Sequence, residues 1–268
     1  MTIAFQKWQG AGNDFILVDI RESADIDWNP QLVRYLCDRH FGIGADGLML
    51  LGGSDEGDFS MHYFNSDGLP ADMCGNGGRC IVAMAHRLGI IGERARFLAG
   101  DGWHEAFVVN PAHIRLKMID VTGIKRIDFN ERDSFGYFLD TGVPHLVLFT
   151  ESIEELDVVA LGRQYRHDGR FAPAGTNVNF VKAEGSRLRV RTYERGVEGE
   201  TLACGTGNVA AAIAAGHHYG SSLTSYQTQA NGGVLSVSFR KQGSRVTDVW
   251  LEGPAVKVFS GEITPDRF

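Results

Sequence analysis

Two cysteines in this chain share one local setting. Cys74 lies in M-C-G-N-G and Cys204 in A-C-G-T-G, and each precedes an apolar, helix-like run, C-I-V-A-M-A-H-R-L-G and N-V-A-A-A-I-A-A-G-H-H. A thiol just ahead of a helix meets unpaired N–H groups and the positive end of the helix dipole. That environment favours the thiolate, and the same N–H groups can seat a ligand carboxylate. Gly75, Gly77, Gly205 and Gly207 let the backbone approach a ligand closely. Neither turn carries the lysine of a phosphate loop, and neither fits the G-x-G-x-x-G of a dinucleotide-binding unit. Two such thiols facing one carbon from opposite sides would remove a proton on one face and deliver one on the other. Stereochemical inversion requires such a matched acid and base.

The elements that must position these thiols repeat once. Cys74 overlies Cys204 at an offset of 130 residues. The same offset places A-D-G-L-M-L-L (45–51) on G-T-N-V-N-F-V (175–181), Gly12–Asp19 on Gly142–Phe149, and Asp101-Gly102 on Asn231-Gly232. Four blocks in one ungapped register predict a duplicated fold: one half over 1–130 carrying Cys74, another over 131–268 carrying Cys204. The polar stretch Ile127 to Ser134 reads as the connector, and the last few residues can return to the first half. In each half a strand is followed by a short helix (Asn29–Arg39; Glu154–Tyr165), further strands, the cysteine turn and its helix, then alternating strands. Short alternating strands such as S-M-H-Y-F, R-V-R-T-Y and V-L-S-V-S-F favour α+β with antiparallel or mixed sheets over a doubly wound parallel sheet. The runs after the cysteines are apolar nearly all round, so each helix is expected inside its own half.

Composition narrows the function classes. The chain has 268 residues, 43% hydrophobic and 22% charged, as in ordinary globular proteins. A net charge of −7 with no Lys/Arg run argues against nucleic acid as a partner. No apolar run is long enough to span a bilayer, and the N-terminal residues lack the pattern of a signal peptide. Four cysteines (37, 74, 80 and 204) are too few for a disulfide scaffold, which suggests a reducing cytoplasm. No C-x-x-C or H-E-x-x-H is present, so no metal site is expected. Cys37 and Cys80 read as small buried hydrophobes.

Polar residues gather beside the glycine turns. Asn13, Asn65, Asn76, Asn177 and Asn208 read either as turn-forming asparagines or as ligand contacts. Glu194-Arg195 precedes the second cysteine; it is either a solvated pair or a grip on the ammonium and carboxylate of an amino acid. His145, after Pro144, is either a satisfied, partly buried histidine or a group that orients or deprotonates a thiol.

Together the motifs resemble diaminopimelate epimerases: G-A-G-N-D-F (10–15), F-G-I-G-A-D-G (41–47), N-S-D-G (65–68), M-C-G-N-G-G-R-C (73–80), P-A-G-T-N-V-N-F-V (173–181) and Y-E-R-G-V-E-G-E-T-L-A-C-G-T-G (193–207). The resemblance covers nearly the whole chain. It implies two pseudo-symmetric halves, each a barrel-like sheet around a central helix, and interconversion of LL- and meso-2,6-diaminopimelate without pyridoxal phosphate or metal. Lysine and peptidoglycan precursor synthesis and a homodimer come with it. Cys74 and Cys204 match the acid/base cysteines. Asn13, Asn65, Asn177, Glu194 and Arg195 match substrate-binding positions, as do Gly75-Asn76 and Gly205-Thr206 through their backbone amides; His145 and Glu194 match residues that assist the thiols. Val143 stands where the family often has asparagine, and Gly47 where some members have glutamine. Both departures concern the distal end of the substrate. Ser66 and Leu69-Pro70 depart mildly near the first cysteine loop. A proline-type racemase would carry D-R-S-P-C-G-T-G at the second cysteine, which this chain lacks. A non-catalytic amino-acid or phosphate binder and a thiol-redox protein are the readings from other classes.

Overall fold

The computed structural model describes residues 2–22, 26–129 and 135–265. In chain order these form β1 (Ile3–Gly10), β2 (Asn13–Asp19), α1 (Pro30–Cys37), β3 (Gly47–Gly52), β4 (Phe59–Asn65), β5 (Pro70–Ala71), α2 (Gly75–Arg87), β6 (Arg94–Ala99), β7 (Gly102–Asn110), β8 (His113–Lys117) and β9 (Lys125–Asp128). The series then repeats: β10 (Phe135–Asp140), β11 (Pro144–Phe149), α3 (Val158–Arg166), β12 (Asn177–Glu184), β13 (Arg187–Glu194), β14 (Gly199–Thr201), α4 (Gly205–His218), β15 (Ser225–Ala230), β16 (Gly233–Gln242), β17 (Arg245–Pro254) and β18 (Val256–Ile263). The order of strands and α-helices is the same in both repeats, as the offset of 130 implies.

The chain divides into two compact units, Met1–Leu116 with Gly253–Phe268, and Lys117–Glu252. In the first, the hydrogen-bonded strand order is β8-β7-β6-β4-β3-β2-β1-β18, with β5 also on β4. In the second it is β17-β16-β15-β13-β12-β11-β10-β9, with β14 on β13. The parallel pairs correspond too: β2/β3 with β11/β12, and β4/β6 with β13/β15. The fold is therefore α+β with mixed sheets in two pseudo-symmetric halves.

The boundary differs from one drawn at 130, for a topological reason. The last strand of each repeat leaves its own repeat. β9 pairs antiparallel with β10, and β18 pairs antiparallel with β1. Ile127 and Asp128, expected in a connector, are thus strand residues opposite Gly136 and Phe135. Phe129, also in that expected connector, is buried in the core of the second unit, and residues 130–134 lie outside the described residues. The short helix expected over Glu154–Tyr165 begins later. A 3-10 turn covers Ile153–Glu155, and α3 starts after Asp157, whose carboxylate accepts the Ala160 N–H at 2.9 Å. α1 starts as expected, with the Asn29 side chain capping Gln31 and Leu32 and proline at the first turn.

Two helices pack on each sheet, one outside and one enclosed. In β2 and β3 the residues Ile16, Val18, Leu48 and Leu50 join Leu32, Val33 and Leu36 of α1 in one core. The intervening Phe15, Leu17, Met49 and Leu51 are equally buried, on the opposite face. Burial on both faces explains why these strands read as unbroken apolar runs. In the second unit, Leu146, Leu148, Val178 and Phe180 share a core with Val158 of α3. The other face of each sheet wraps the central helix. α2 is buried from Asn76 to Ala85, and α4 from Gly207 to Gly216 as well as at Gly205. Close approach of a strand side chain favours glycine at one matched pair of positions. A Cβ on Gly77 would stand 1.7 Å from Met49 Cε, and one on Gly207 2.4 Å from Asn179 Oδ1. The two contacts are the same one, repeated at the offset of 130. The second repeat has placed a polar side chain where the first keeps methionine.

Candidate active site

Both cysteines are the N-cap residues of the enclosed helices. Cys74 has φ −106° and ψ 120°, and Cys204 φ −107° and ψ 112°; neither side chain makes a capping hydrogen bond. The Cys74 carbonyl accepts the Gly78 N–H at 2.7 Å, and the Cys204 carbonyl accepts the Asn208 N–H at 2.9 Å. Each thiol thus stands at the positive end of a buried helix, whose first-turn N–H groups lie outside the intrahelical ladder. Gly75-Asn76 and Gly205-Thr206 supply those groups. The thiols at Cys37 and Cys80 are buried away from water, which pushes both up to about 12. They are inert, as their sequence setting suggests.

Around the first helix mouth, the side chains form a chain of fixed amides. Asn13 Nδ2 donates to Asp46 Oδ2 at 3.0 Å, while Asn13 Oδ1 accepts from Asn76 Nδ2. Asn76 Oδ1 accepts from Arg79 Nη2 at 2.9 Å. The side chain of Asn76 is therefore held between Asn13 and Arg79. Asp46 also accepts the Asp14 N–H at 3.2 Å and Arg39 Nη2 at 2.8 Å. Asp14 meets Lys7 Nζ at 2.7 Å and Arg39 Nη2 at 2.7 Å, and Lys7, nearly buried, also donates to the Gly44 carbonyl. Burial alone would raise the Asp14 carboxyl. The Arg39 and Lys7 bonds and charges outweigh it and hold the group below the usual carboxylate range. Asn65 is exposed at the end of β4, in a turn closed by Gly68 N–H to Asn65 O at 2.9 Å.

A stability prediction follows from Asp14. Its folded pKa is depressed, so its contribution is present above the unfolded value of about 3.9 and is lost as pH falls through the folded value. Asp14→Asn should destabilise the protein by about 2–4 kcal/mol at pH 7, because the buried Lys7 loses its partly buried carboxylate partner. The variant should also show a shallower loss of stability between about pH 4 and pH 2. Urea unfolding at several pH values measures both, and parallel pH profiles for variant and wild type would count against this account.

The second mouth is built from different side chains at matching positions. Asn179 Nδ2 donates to the Leu146 carbonyl at 3.1 Å and meets His145 Nδ1 at 3.0 Å, while Asn179 Oδ1 accepts the Thr192 hydroxyl at 3.0 Å. The Leu146 carbonyl and the Thr192 hydroxyl fix which end of the amide is which. His145 Nδ1 is therefore an acceptor, and the ring proton sits on Nε2. Burial, with the nearby Arg195 charge, pushes His145 down to about 3, so the ring is neutral at pH 7. Nε2 is buried with no hydrogen-bond partner among the described residues, and so is Asn208 Oδ1. Orphaned buried polar atoms are costly and uncommon, and two of them here mark a site rather than a core. His145 as it stands can donate a hydrogen bond but cannot accept a proton from a thiol. Cys204 Sγ lies 3.4 Å from the Thr206 hydroxyl, and the Thr206 carbonyl accepts from Thr141 Oγ1 at 3.0 Å.

Asn177 ties two strand ends together. Its Oδ1 accepts the Arg195 N–H at 2.7 Å and its Nδ2 donates to the Pro144 carbonyl at 3.3 Å. Glu194 Oε2 accepts the Thr201 hydroxyl at 2.9 Å. The Arg195 guanidinium is half-buried, and its one hydrogen bond is Nη1 to the Ala174 carbonyl at 3.5 Å; no carboxylate lies within 4.0 Å of it among the described residues. Such a fork is available to a carboxylate ligand. The structure thus groups Asn13, Asn76 and Cys74 at one mouth and His145, Asn177, Glu194, Arg195, Thr206 and Cys204 around the other. Val143 offers its carbonyl to the Thr141 N–H at 3.2 Å and has no side-chain amide.

Sequence reasoning passed over Arg79, Asn179, Thr192 and Asp46. Arg79 and Asn179 had a visible signal, since each is a polar residue in an otherwise apolar run (G-G-R-C-I-V and N-V-N-F-V). Polar groups in such runs are either paired or functional. Among the described residues no group of three or more His, Cys, Asp and Glu side chains is placed to hold a metal ion, and no helix is long and apolar enough to cross a membrane.

A duplicated sheet-wrapped-helix fold with a cysteine at each helix mouth defines the class: an isomerase of the racemase and epimerase type. A family model of diaminopimelate epimerase matches residues 5–119 and 137–258. The chain belongs to that family. It is 43% identical to a diaminopimelate epimerase of Flavobacterium psychrophilum over 258 residues, covering 96% of this chain and 98% of that one. It is likewise 43% identical to one of Chlorobaculum tepidum, covering 95% and 99%. Among solved structures, a phenazine biosynthesis protein of the PhzF family from Bacillus anthracis superposes with a TM-score of 0.74 at 13% identity, covering 99% of this chain and 100% of that one. A hydroxyproline epimerase from Agrobacterium vitis superposes with a TM-score of 0.70 at 14% identity, covering 99% and 93%. At such identities these two show a shared fold alone.

Proposed function

We propose that this enzyme interconverts LL- and meso-2,6-diaminopimelate, with Cys74 and Cys204 as the acid/base pair. The observation that carries the mechanism is the recurrence of a cysteine as N-cap, with no side-chain capping bond, on the enclosed helix of both repeats. The substrate is supported by family membership and by the name of the 43%-identical relatives. On this reading the thiolate of one cysteine takes the α-proton, and the Cα–H electron pair becomes the carbanion. The opposed thiol then protonates the other face and is left as thiolate. The reacting carboxylate rests on the N–H groups of Gly75-Asn76 and Gly205-Thr206, where preorganised donors stabilise the charge that develops. Arg195 and Glu194 hold the amino-acid head group. Asn13, Asn65 and Asn177 line the rest, with Asn177 also fixing the backbone of Arg195. The His145 Nε2–H stabilises an anion in the second unit rather than acting as a base. The same reading takes the enzyme to be a cytosolic homodimer serving lysine and peptidoglycan precursor synthesis, which rests on the family resemblance alone.

The test is solvent exchange. In D2O the protein should incorporate deuterium at the α-carbon of LL- and meso-diaminopimelate while interconverting them, and should leave proline unlabelled. Exchange with proline and not with diaminopimelate would favour the proline-type reading; binding with no exchange of either would favour a non-catalytic amino-acid binder.

A further inference from the structure

The two helix mouths match in backbone and differ in charge. Five residues into α2 from Cys74 stands Arg79, fully buried at 0% exposure. At the offset of 130 its counterpart is Val209. Among the described residues Arg79 has no carboxylate within 4.0 Å. Its guanidinium instead meets Gly75 O from Nη1 at 3.1 Å, Asn76 Oδ1 from Nη2 at 2.9 Å and Pro254 O from Nε at 3.3 Å. A buried cation without a counter-ion is costly, and proteins rarely keep one unless an anion is meant to sit nearby. Gly75, to which Arg79 donates, is the residue next to Cys74. We propose that Arg79 is a positioning residue that makes Cys74 the thiol carrying the negative charge in the resting enzyme, with Cys204 as its protonated partner.

Other charges do not offset this. Burial pushes Arg79 down to about 10, so it remains a cation at pH 7, and the thiols of Cys74 and Cys80 are near enough to act on it electrostatically. Cys80 is held at about 12 and stays neutral. On the strands packed against α2, β3 carries no charged residue. On β1 and β2, Lys7 pairs with Asp14, which Arg39 also holds, and Asp19 pairs with Arg21. On β7, His104 pairs with Asp101, and Glu105 lies on the same strand; β18 carries Lys257 and Glu262. At the second mouth the cation is Arg195, half-exposed and therefore screened by water, and beside it is the Glu194 carboxylate, whose charge opposes a thiolate. His145 is neutral there. A buried cation acts more strongly than a solvated one, so the charge settles on the first thiol. Arg79 also holds Asn76 by its side-chain oxygen, which keeps the first-turn backbone in place for the same anion.

This inference builds on the assignment of Cys74 and Cys204 as reacting thiols, but its test needs no turnover, so the two can fail separately. Iodoacetamide alkylation of the intact protein, followed across pH with the cysteine peptides resolved by mass spectrometry, gives a midpoint for each thiol. In wild type the Cys74 midpoint should lie below that of Cys204 by about one pH unit or more. Arg79→Met should raise the Cys74 midpoint by about one unit and leave Cys204 where it was, while Arg79→Lys should restore most of the difference. A purely structural role would move both thiols or neither. The proposal is overturned if Cys74 titrates at or above Cys204 in wild type, or if Arg79→Met leaves the Cys74 midpoint unchanged. Should Arg79→Met fail to fold, Arg79→Gln, which removes the charge and keeps a hydrogen-bond donor, reads the same Cys74 midpoint: a rise of about one unit supports the proposal and no change overturns it.

Discussion

Replacing Cys74 or Cys204 by alanine is expected to stop inversion, lowering turnover by about 10²–10⁴-fold, the usual worth of a positioned general acid or base. The two variants should fail in complementary ways. With Cys204 gone, the Cys74 thiolate can still take the α-proton from the epimer that presents its hydrogen to that thiol, and can return a solvent deuteron to the same face. Exchange without inversion should therefore survive for one epimer in Cys74→Ala and for the other in Cys204→Ala. Both substitutions remove only a sulfur from an N-cap that makes no side-chain capping bond, so melting temperatures should stay close to wild type. Proton NMR of each epimer in D2O, with chiral analysis of the product, separates exchange from inversion. Full inversion by either variant would end the two-thiol scheme.

Arg195→Leu should lower kcat/KM by about 10²–10³-fold, roughly 3–4 kcal/mol at 1.4 kcal/mol per decade. Its guanidinium has no carboxylate within 4.0 Å among the described residues and one long bond to the Ala174 carbonyl, so the fold draws little from it. The loss should therefore fall on kinetics and leave the melting temperature within a degree or two. Arg195→Lys should recover only part of the activity, because an ammonium cannot reproduce the planar fork on a carboxylate. Steady-state kinetics beside thermal unfolding distinguishes this from a structural role. A large fall in melting temperature with unchanged kcat/KM would place Arg195 in the scaffold.

Several elements of the site were legible because they depend on short-range pattern. The glycine-bracketed cysteine turns announce helix starts, and the apolar runs behind them announce enclosure. Asn177 and Asn13 could be picked out, but their use could not. Asn177 spends its oxygen on the Arg195 N–H and one amide hydrogen on the Pro144 carbonyl, both from neighbouring strands. Asn13 is likewise held between Asp46 and Asn76. A side-chain amide offers the same donors and acceptor wherever it sits, and only its neighbours decide which remain for a ligand. His145 shows the same limit. As a residue type it is a candidate base, whereas an Asn179 bond and complete burial leave it a neutral donor.

By itself the sequence determined that the fold is doubled, that a thiol stands at the mouth of the enclosed helix in each repeat, and which family the motifs belong to. These are properties of spacing and of local backbone preference, and they survive without knowing what packs against what. Only the tertiary structure decided that β9 and β18 are exchanged between the repeats, because strand pairing is a long-range choice that short apolar segments do not encode. It alone decided that Arg79 is buried, with no carboxylate within 4.0 Å among the described residues, behind one of two helix mouths that match in backbone. The strength of a charge depends on how completely water is excluded around it, and that exclusion comes from strands distant in sequence.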